Sequence, residues 1–168
     1  MSAVDVDATV DGPEDAPVVV LANSLGAARG MWDPQVPALA ERYRVVTYDM
    51  RGHGASPAPA GPYTLDDLVA RLEAMIAGCD DEGYASCAEV VAGIDLREDL
   101  ARIAAPTLVI SGAEDQALPP AHQQAIAEGI AGAELLSVSP GAHLANLERT
   151  LEVTGALLGH FDAAGDDR

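Results

Sequence analysis

Lysine is absent from this chain, cysteine and aromatic residues are scarce, and no apolar run is long enough to cross a bilayer. The chain has nine basic residues, all arginine, and 27 acidic ones, so its formal net charge is −18. A field this negative repels nucleic acid and anionic membranes, and we expect neither as a partner. No apolar run approaches ~18 residues, and the acidic N-terminus lacks the apolar segment of a signal peptide. We therefore expect a cytoplasmic protein.

Cysteine use and short motifs exclude further classes. Cys79 and Cys87 are too few for a disulfide scaffold, and their spacing is not that of a zinc site. We interpret both as inert thiols. The sequence contains no metal-ligand cluster, no glycine loop that would cradle phosphate and no dinucleotide fingerprint. We therefore expect neither a metal nor a cofactor.

The apolar pattern predicts an α/β fold. About half of the 168 residues are apolar, enough for one domain with a core. Continuous apolar runs predict strands at residues 17–22, 43–48, 106–110 and 134–138, and an edge strand within 4–10. The run 17–22 is expected to be buried on both faces. The predicted helices cover residues 33–42, 68–92, 95–103, 119–130 and 146–160. This alternation favours a mainly parallel sheet with flanking helices, in a single domain over residues 1–168.

Polar motifs follow the predicted strands. Asn23-Ser-Leu-Gly26 follows the first strand, with Met31-Trp-Asp-Pro-Gln35 beyond it, and Asp49-Met-Arg-Gly-His-Gly-Ala-Ser56 follows the second. Ser111-Gly-Ala-Glu-Asp115 closes the third, and Gly141-Ala-His-Leu-Ala-Asn-Leu-Glu148 follows the fourth. The order and spacing of these motifs resemble the α/β-hydrolases, and within them the 3-oxoadipate enol-lactonases. The resemblance covers two blocks, about residues 17–69 and 71–160.

The two blocks meet near Val69–Arg71, where the sequence departs from the family pattern. The resemblance implies a segment between them that holds a strand, a Gly-x-Ser-x-Gly elbow, a helix, another strand and much of a helical cap. The sequence contains no Gly-x-Ser-x-Gly. Family members are single domains of ~200–250 residues, so the chain is short by on the order of a hundred. We expect a truncated α/β-hydrolase fold, in which residues 71–103 are a remnant of the cap.

The resemblance also implies roles for individual residues. Enol-lactone hydrolysis, a step in aromatic compound degradation, needs a nucleophile, a histidine base, a carboxylate that orients the histidine, and an oxyanion hole. Asp115 occupies the position of the acid and His143 that of the base. The N–H of Leu25 occupies the position of one oxyanion donor, whereas its partner donor would follow the missing serine. The implied ligand is a small lactone or ester.

Ser24 is the candidate substitute for the nucleophile. Ala22-Asn-Ser-Leu-Gly26 differs from Gly-x-Ser-x-Gly only in its first residue, and the order Ser24, Asp115, His143 is that of the fold. Against it, several residues separate Ser24 from the next predicted helix. We interpret His122 and His160 as surface residues, His53 as a structural loop residue, and Ser56 and Ser111 as turn residues.

Two hypotheses follow for the chain itself. The first is hydrolysis of an enol-lactone, as in the family. The second is a non-catalytic deletion product, or a binding module of the same fold, whose exposed sheet edges favour self-association.

Overall fold

A computed structural model of the chain describes residues 6–24, 27–49, 54–57 and 95–166. The chain forms two compact units, Met1–Ile94 and Asp95–Arg168. The helix predicted over residues 68–92, both cysteines, Leu25 and His53 lie outside the described residues. The single domain and its cap remnant, like the predicted self-association, stay predictions.

The first unit holds a three-stranded sheet. Its strands are β1 (Ala8–Asp11), β2 (Val18–Leu21) and β3 (Arg44–Tyr48), in the order β1-β3-β2. β2 pairs in parallel with β3, and β1 pairs antiparallel to β3 at the edge. These strands confirm the predicted strands in the first two apolar runs. The edge strand begins later than the interval 4–10 suggested.

Only one face of β2 is buried. Val19 and Leu21 lie in the core with Leu39, Tyr43 and Val45. Val18 and Val20 point the other way and remain 61% and 59% exposed. The prediction that this apolar run is buried on both faces is therefore wrong for β2.

The helix predicted over residues 33–42 is wrong in its extent. The structure has a short 3₁₀ helix, Arg29–Trp32, and a single helical turn, α1 (Val36–Leu39). Pro37 explains the difference, because a helix that began at Asp33 would need the N–H of residue 37 for its first hydrogen bond, and proline has none.

The second unit holds two parallel strands joined through a helix. β4 (Leu108–Gly112) pairs with β5 (Glu134–Val138), with Gly112 opposite Val138 at the end of the register. The connecting helix is α2 (Pro120–Gly129). The bounds of β5 agree with the prediction, and β4 begins and ends two residues later than predicted. Parallel pairing places the ends of β4 and β5 at one edge.

No α-helix forms over residues 95–103, and that prediction is wrong. The segment is a turn followed by a 3₁₀ helix, Leu100–Arg102. The Asp95 carboxylate accepts hydrogen bonds from both the backbone N–H and the guanidinium of Arg97. Such local side-chain bonds compete with helix formation.

The last predicted helix, residues 146–160, is two helices in the structure. α3 (Ala145–Glu148) ends at Arg149, which has a non-helical backbone, and α4 (Thr150–Asp166) follows. The Thr150 hydroxyl lies 3.1 Å from the carbonyl oxygens of both Asn146 and Leu147. It thus provides a hydrogen-bond donor for carbonyl groups at the end of α3. Of the helices described, none combines the length and the apolar character needed to cross a membrane.

Candidate functional site

Asp115 and His143 meet beyond the ends of β4 and β5. Asp115 lies in the turn that follows β4, and His143 lies in the loop between β5 and α3. The Nδ1 atom of His143 is 2.9 Å from Oδ2 of Asp115. The Asp115 side chain is 6% exposed and that of His143 is 48% exposed. A buried carboxylate thus holds a solvent-accessible imidazole.

The two carboxylate oxygens of Asp115 have separate partners. Oδ1 accepts the backbone N–H groups of Ala117 at 2.8 Å and Leu118 at 2.9 Å, while Oδ2 faces His143. The Leu118 bond, followed by the bonds from His143 and Ala117, lowers the pKa of Asp115 against the opposing effect of desolvation. Asp115 is therefore ionised at neutral pH.

This pairing fixes the tautomer of a neutral His143. An ionised carboxylate can only accept hydrogen bonds, so Nδ1 carries the hydrogen and donates it to Asp115. Nε2 then has a free lone pair and can accept a proton. Within residues 95–166 the structure records no hydrogen bond to Nε2. The imidazole is thus arranged as a base that a carboxylate orients.

Backbone hydrogen bonds join the two loops that carry this pair. Ala113 N–H donates to the Val138 carbonyl at 2.9 Å, and Glu114 N–H donates to the Gly141 carbonyl at 2.8 Å. Gly112 permits the approach, because a Cβ there would lie 2.1 Å from the carbonyl oxygen of Ala142. The contact between Asp115 and His143 is therefore the outermost of three links between these loops.

The lowered pKa of Asp115 predicts a pH-dependent stability. A carboxyl with a depressed folded pKa adds stability that is complete above its unfolded pKa, about 3.9, and that is lost as pH falls through the folded value. Asp115→Asn should therefore reduce the free energy of unfolding near neutral pH, and by less as pH falls below about 4. Denaturant titrations of both proteins between pH 3 and pH 7 measure this difference. A difference that did not vary with pH would contradict the prediction.

In the first unit, the loop that contains Ser24 is held at several points. Trp32 Nε1 donates to the Ala22 carbonyl at 3.1 Å, and the Asn23 amide donates to the Ala27 carbonyl. Ala27 N–H donates to the Ser24 carbonyl at 3.1 Å. The Ser24 residue is exposed. Its proposed role as nucleophile stays a prediction, as does that of Leu25 as oxyanion donor.

Asp49 connects this loop to the segment that follows β3. Its buried carboxylate accepts the N–H of Arg29 at 2.7 Å and that of Ala55 at 3.1 Å. Gly54 has a positive φ of 50°, and a Cβ there would lie 2.1 Å from Asp49 Oδ2. The Ser56 hydroxyl donates to the Asp49 carbonyl at 2.6 Å. Ser56 therefore has a structural role in this turn.

Within residues 95–166, no recorded hydrogen bond joins the pair to the other candidates from the sequence. His122 is exposed on α2, and His160 is half-buried on α4, with its ring centroid 6.0 Å from that of Phe161. Ser111 is buried within β4, so its interpretation as a turn residue is wrong. Among the described residues, no group of three His, Cys, Asp or Glu side chains is placed to hold a metal ion.

Two residues that support the pair, Gly112 and Glu148, lie within the sequence motifs but were assigned no role from the sequence. Gly112 gives a weak signal, because glycine in a strand often marks a close backbone approach. Glu148 accepts the Ala142 N–H at 2.8 Å, directly beside His143. Its position five residues after the histidine is not distinctive without the structure.

Comparison with known proteins relates the chain to hydrolases. The family model for the alpha/beta hydrolase fold matches residues 17–84. 3-oxoadipate enol-lactonase 2 of Acinetobacter baylyi is 25% identical over 230 aligned residues, which cover 82% of this chain and 86% of that protein. 3-oxoadipate enol-lactonase 1 of the same organism is 64% identical over 47 residues, which cover 28% of this chain and 18% of that protein.

A crystal structure shows the same similarity at the level of the fold. The enol-lactonase of Burkholderia xenovorans LB400 superposes with a TM-score of 0.84 at 26% sequence identity. The superposition covers 96% of this chain and 99% of that one.

Proposed function

Because this chain has the α/β-hydrolase fold, we propose that it carries the acid and the base of an enol-lactone hydrolase, Asp115 and His143. The observation that supports the proposal is the 2.9 Å contact between His143 Nδ1 and Asp115 Oδ2. It joins a buried carboxylate to an accessible imidazole at the ends of two parallel strands. The similarity to enol-lactonases supports the choice of a lactone as the substrate class.

The geometry suits general acid–base catalysis of lactone opening. A hydroxyl that attacks the lactone carbonyl loses its proton to Nε2 of His143, and the Asp115 carboxylate stabilises the imidazolium that forms. When the tetrahedral intermediate collapses, the ring C–O bond breaks. The imidazolium then returns the proton to the departing enolate oxygen, which leaves as the enol.

We further propose that the chain, with its present sequence, lacks the nucleophile of this reaction. The alignment with enol-lactonase 2 has 230 positions, and 82% of a 168-residue chain fills only about 140 of them. About 90 positions therefore have no counterpart here, and the sequence has no Gly-x-Ser-x-Gly. Loss of the nucleophile from a comparable triad lowers kcat by about 10⁶. Both observations support a deletion product that keeps the acid–base pair.

The test is a turnover assay on the purified chain. We expect hydrolysis of 3-oxoadipate enol-lactone and of p-nitrophenyl acetate to be about 10⁶ slower than by enol-lactonase 2 of Acinetobacter baylyi, assayed in parallel. Ser24→Ala should leave the rates of the chain unchanged. Turnover well above that level that disappears in Ser24→Ala would identify Ser24 as the nucleophile and refute the proposed loss. Turnover well above that level that persists in Ser24→Ala would refute it equally, through another nucleophile.

A further inference from the structure

The loop that presents His143 is fixed on one side by backbone bonds to the Asp115 turn. These bonds use the carbonyls of Val138 and Gly141. The Ala142 N–H lies beyond them, immediately before His143, and its partner is the Glu148 carboxylate, with Oε2 at 2.8 Å. A side chain from the end of α3 thus holds the backbone at the residue before the imidazole.

The Glu148 carboxylate joins α3 to the backbone of the loop that precedes it. The residue that precedes α3, Leu144, has no side chain able to cap the helix, and the structure records no side-chain cap there. The Ala142 N–H lies outside the helix and so has no intrahelical acceptor. A bond from an amide to a carboxylate is stronger than one to a neutral oxygen.

We propose that Glu148 is a positioning residue that holds His143 in register with Asp115. The Ala142 N–H belongs to the peptide unit between Gly141 and Ala142, so its bond to Glu148 restrains the backbone one peptide before His143. Rotation of this segment moves Nδ1 away from Oδ2, because His143 is 48% exposed and has little packing to restrain it. The inference rests on the proposed role of His143 as the base.

The alternative is that Glu148 only stabilises the start of α3. In that case Glu148→Ala lowers the stability of the second unit but leaves the proton of a neutral His143 on Nδ1. The location of this proton therefore distinguishes positioning from stabilisation. Side-chain ¹⁵N NMR reports it directly, at a pH where the imidazole is neutral.

The experiment compares the chain with Glu148→Ala, Glu148→Gln and Glu152→Ala. Glu152→Ala is the matched control. It removes the same charge one turn later, and the Glu152 carboxylate contacts Arg149, not the His143 loop. We expect Glu148→Ala to shift the proton from Nδ1 towards Nε2, and to accelerate amide exchange of Ala142 by about tenfold, the equivalent of ~1.4 kcal/mol. The glutamine variant keeps an acceptor and should retain the Nδ1–H form, as should Glu152→Ala.

Three outcomes would overturn the proposal. One is an unchanged tautomer in Glu148→Ala, and another is an equal change in Glu152→Ala. The third is a loss of the Nδ1–H form in Glu148→Gln as complete as in Glu148→Ala, because the retained acceptor would then have no effect. The NMR measurement needs no turnover. A failure of the proposed hydrolase function is therefore seen separately, in the assays on lactone and ester.

Discussion

Gly112→Ala is expected to lower the free energy of unfolding of this 168-residue chain by about 3 kcal/mol and its Tm by roughly 6–12 °C. The new Cβ would lie 2.1 Å from the Ala142 carbonyl oxygen and 2.8 Å from that of Gly141. Both contacts are with backbone, so no side-chain rotation relieves them. The loop must move away from β4, which removes the bond from Glu114 N–H to Gly141 and separates His143 from Asp115.

Gly155→Ala is the matched control for this substitution. Gly155 is exposed within α4, and a Cβ there would meet nothing within 4 Å. Alanine in a helix interior is favoured over glycine by about 0.5–1 kcal/mol, so this variant should be slightly more stable. Thermal unfolding followed by circular dichroism measures both. If the two alanine variants melted at the same temperature, the close approach at Gly112 would be refuted.

The apolar pattern predicted the parts of the fold that position the pair. β5 occupies residues 134–138 as predicted, and β4 is displaced by two residues, because Ser111 and Gly112 extend the strand beyond its apolar run. Parallel pairing then brings the following loops together. The pairing of β4 with β5 places the loops that carry Asp115 and His143 side by side, whereas the roles of the two residues came from the resemblance.

Hydrophobic periodicity did not predict where helices stop. Pro37 shortens the segment before β3, and the Thr150 hydroxyl ends α3 with side-chain bonds. Both effects depend on hydrogen bonds of individual residues. The exposed face of β2 has another origin: an apolar run shows that a strand can be buried, but the faces that are buried depend on what packs against them.

The sequence also did not predict contacts between backbone groups far apart along the chain. The need for glycine at 112 comes from the Ala142 carbonyl, thirty residues away along the chain. The contact from Glu148 to the Ala142 N–H depends on how α3 starts after its loop. Both residues lie within the motifs that led to Asp115 and His143, but those motifs did not predict the contacts by which they support the pair.

Return of the missing segment should convert the chain into a hydrolase. We propose to insert, between Val69 and Arg71, the segment of enol-lactonase 2 that has no counterpart in this chain, about 90 positions of the alignment. By resemblance this segment carries the Gly-x-Ser-x-Gly serine, its oxyanion N–H and the strands on either side. If Asp115 and His143 are a functional acid and base, a nucleophile in the correct place completes the triad.

The decisive measurement is the rate of enol-lactone hydrolysis by this chimera, with and without His143→Ala. We predict a gain of about 10⁶ in kcat over the unmodified chain, the factor lost with a triad nucleophile, and a loss of nearly all of that gain in His143→Ala. Asp115→Asn should lower the rate by about 10⁴. A folded chimera that hydrolyses the lactone equally well without His143, or that gains no activity at all, would contradict the assignment of Asp115 and His143 as the acid and base.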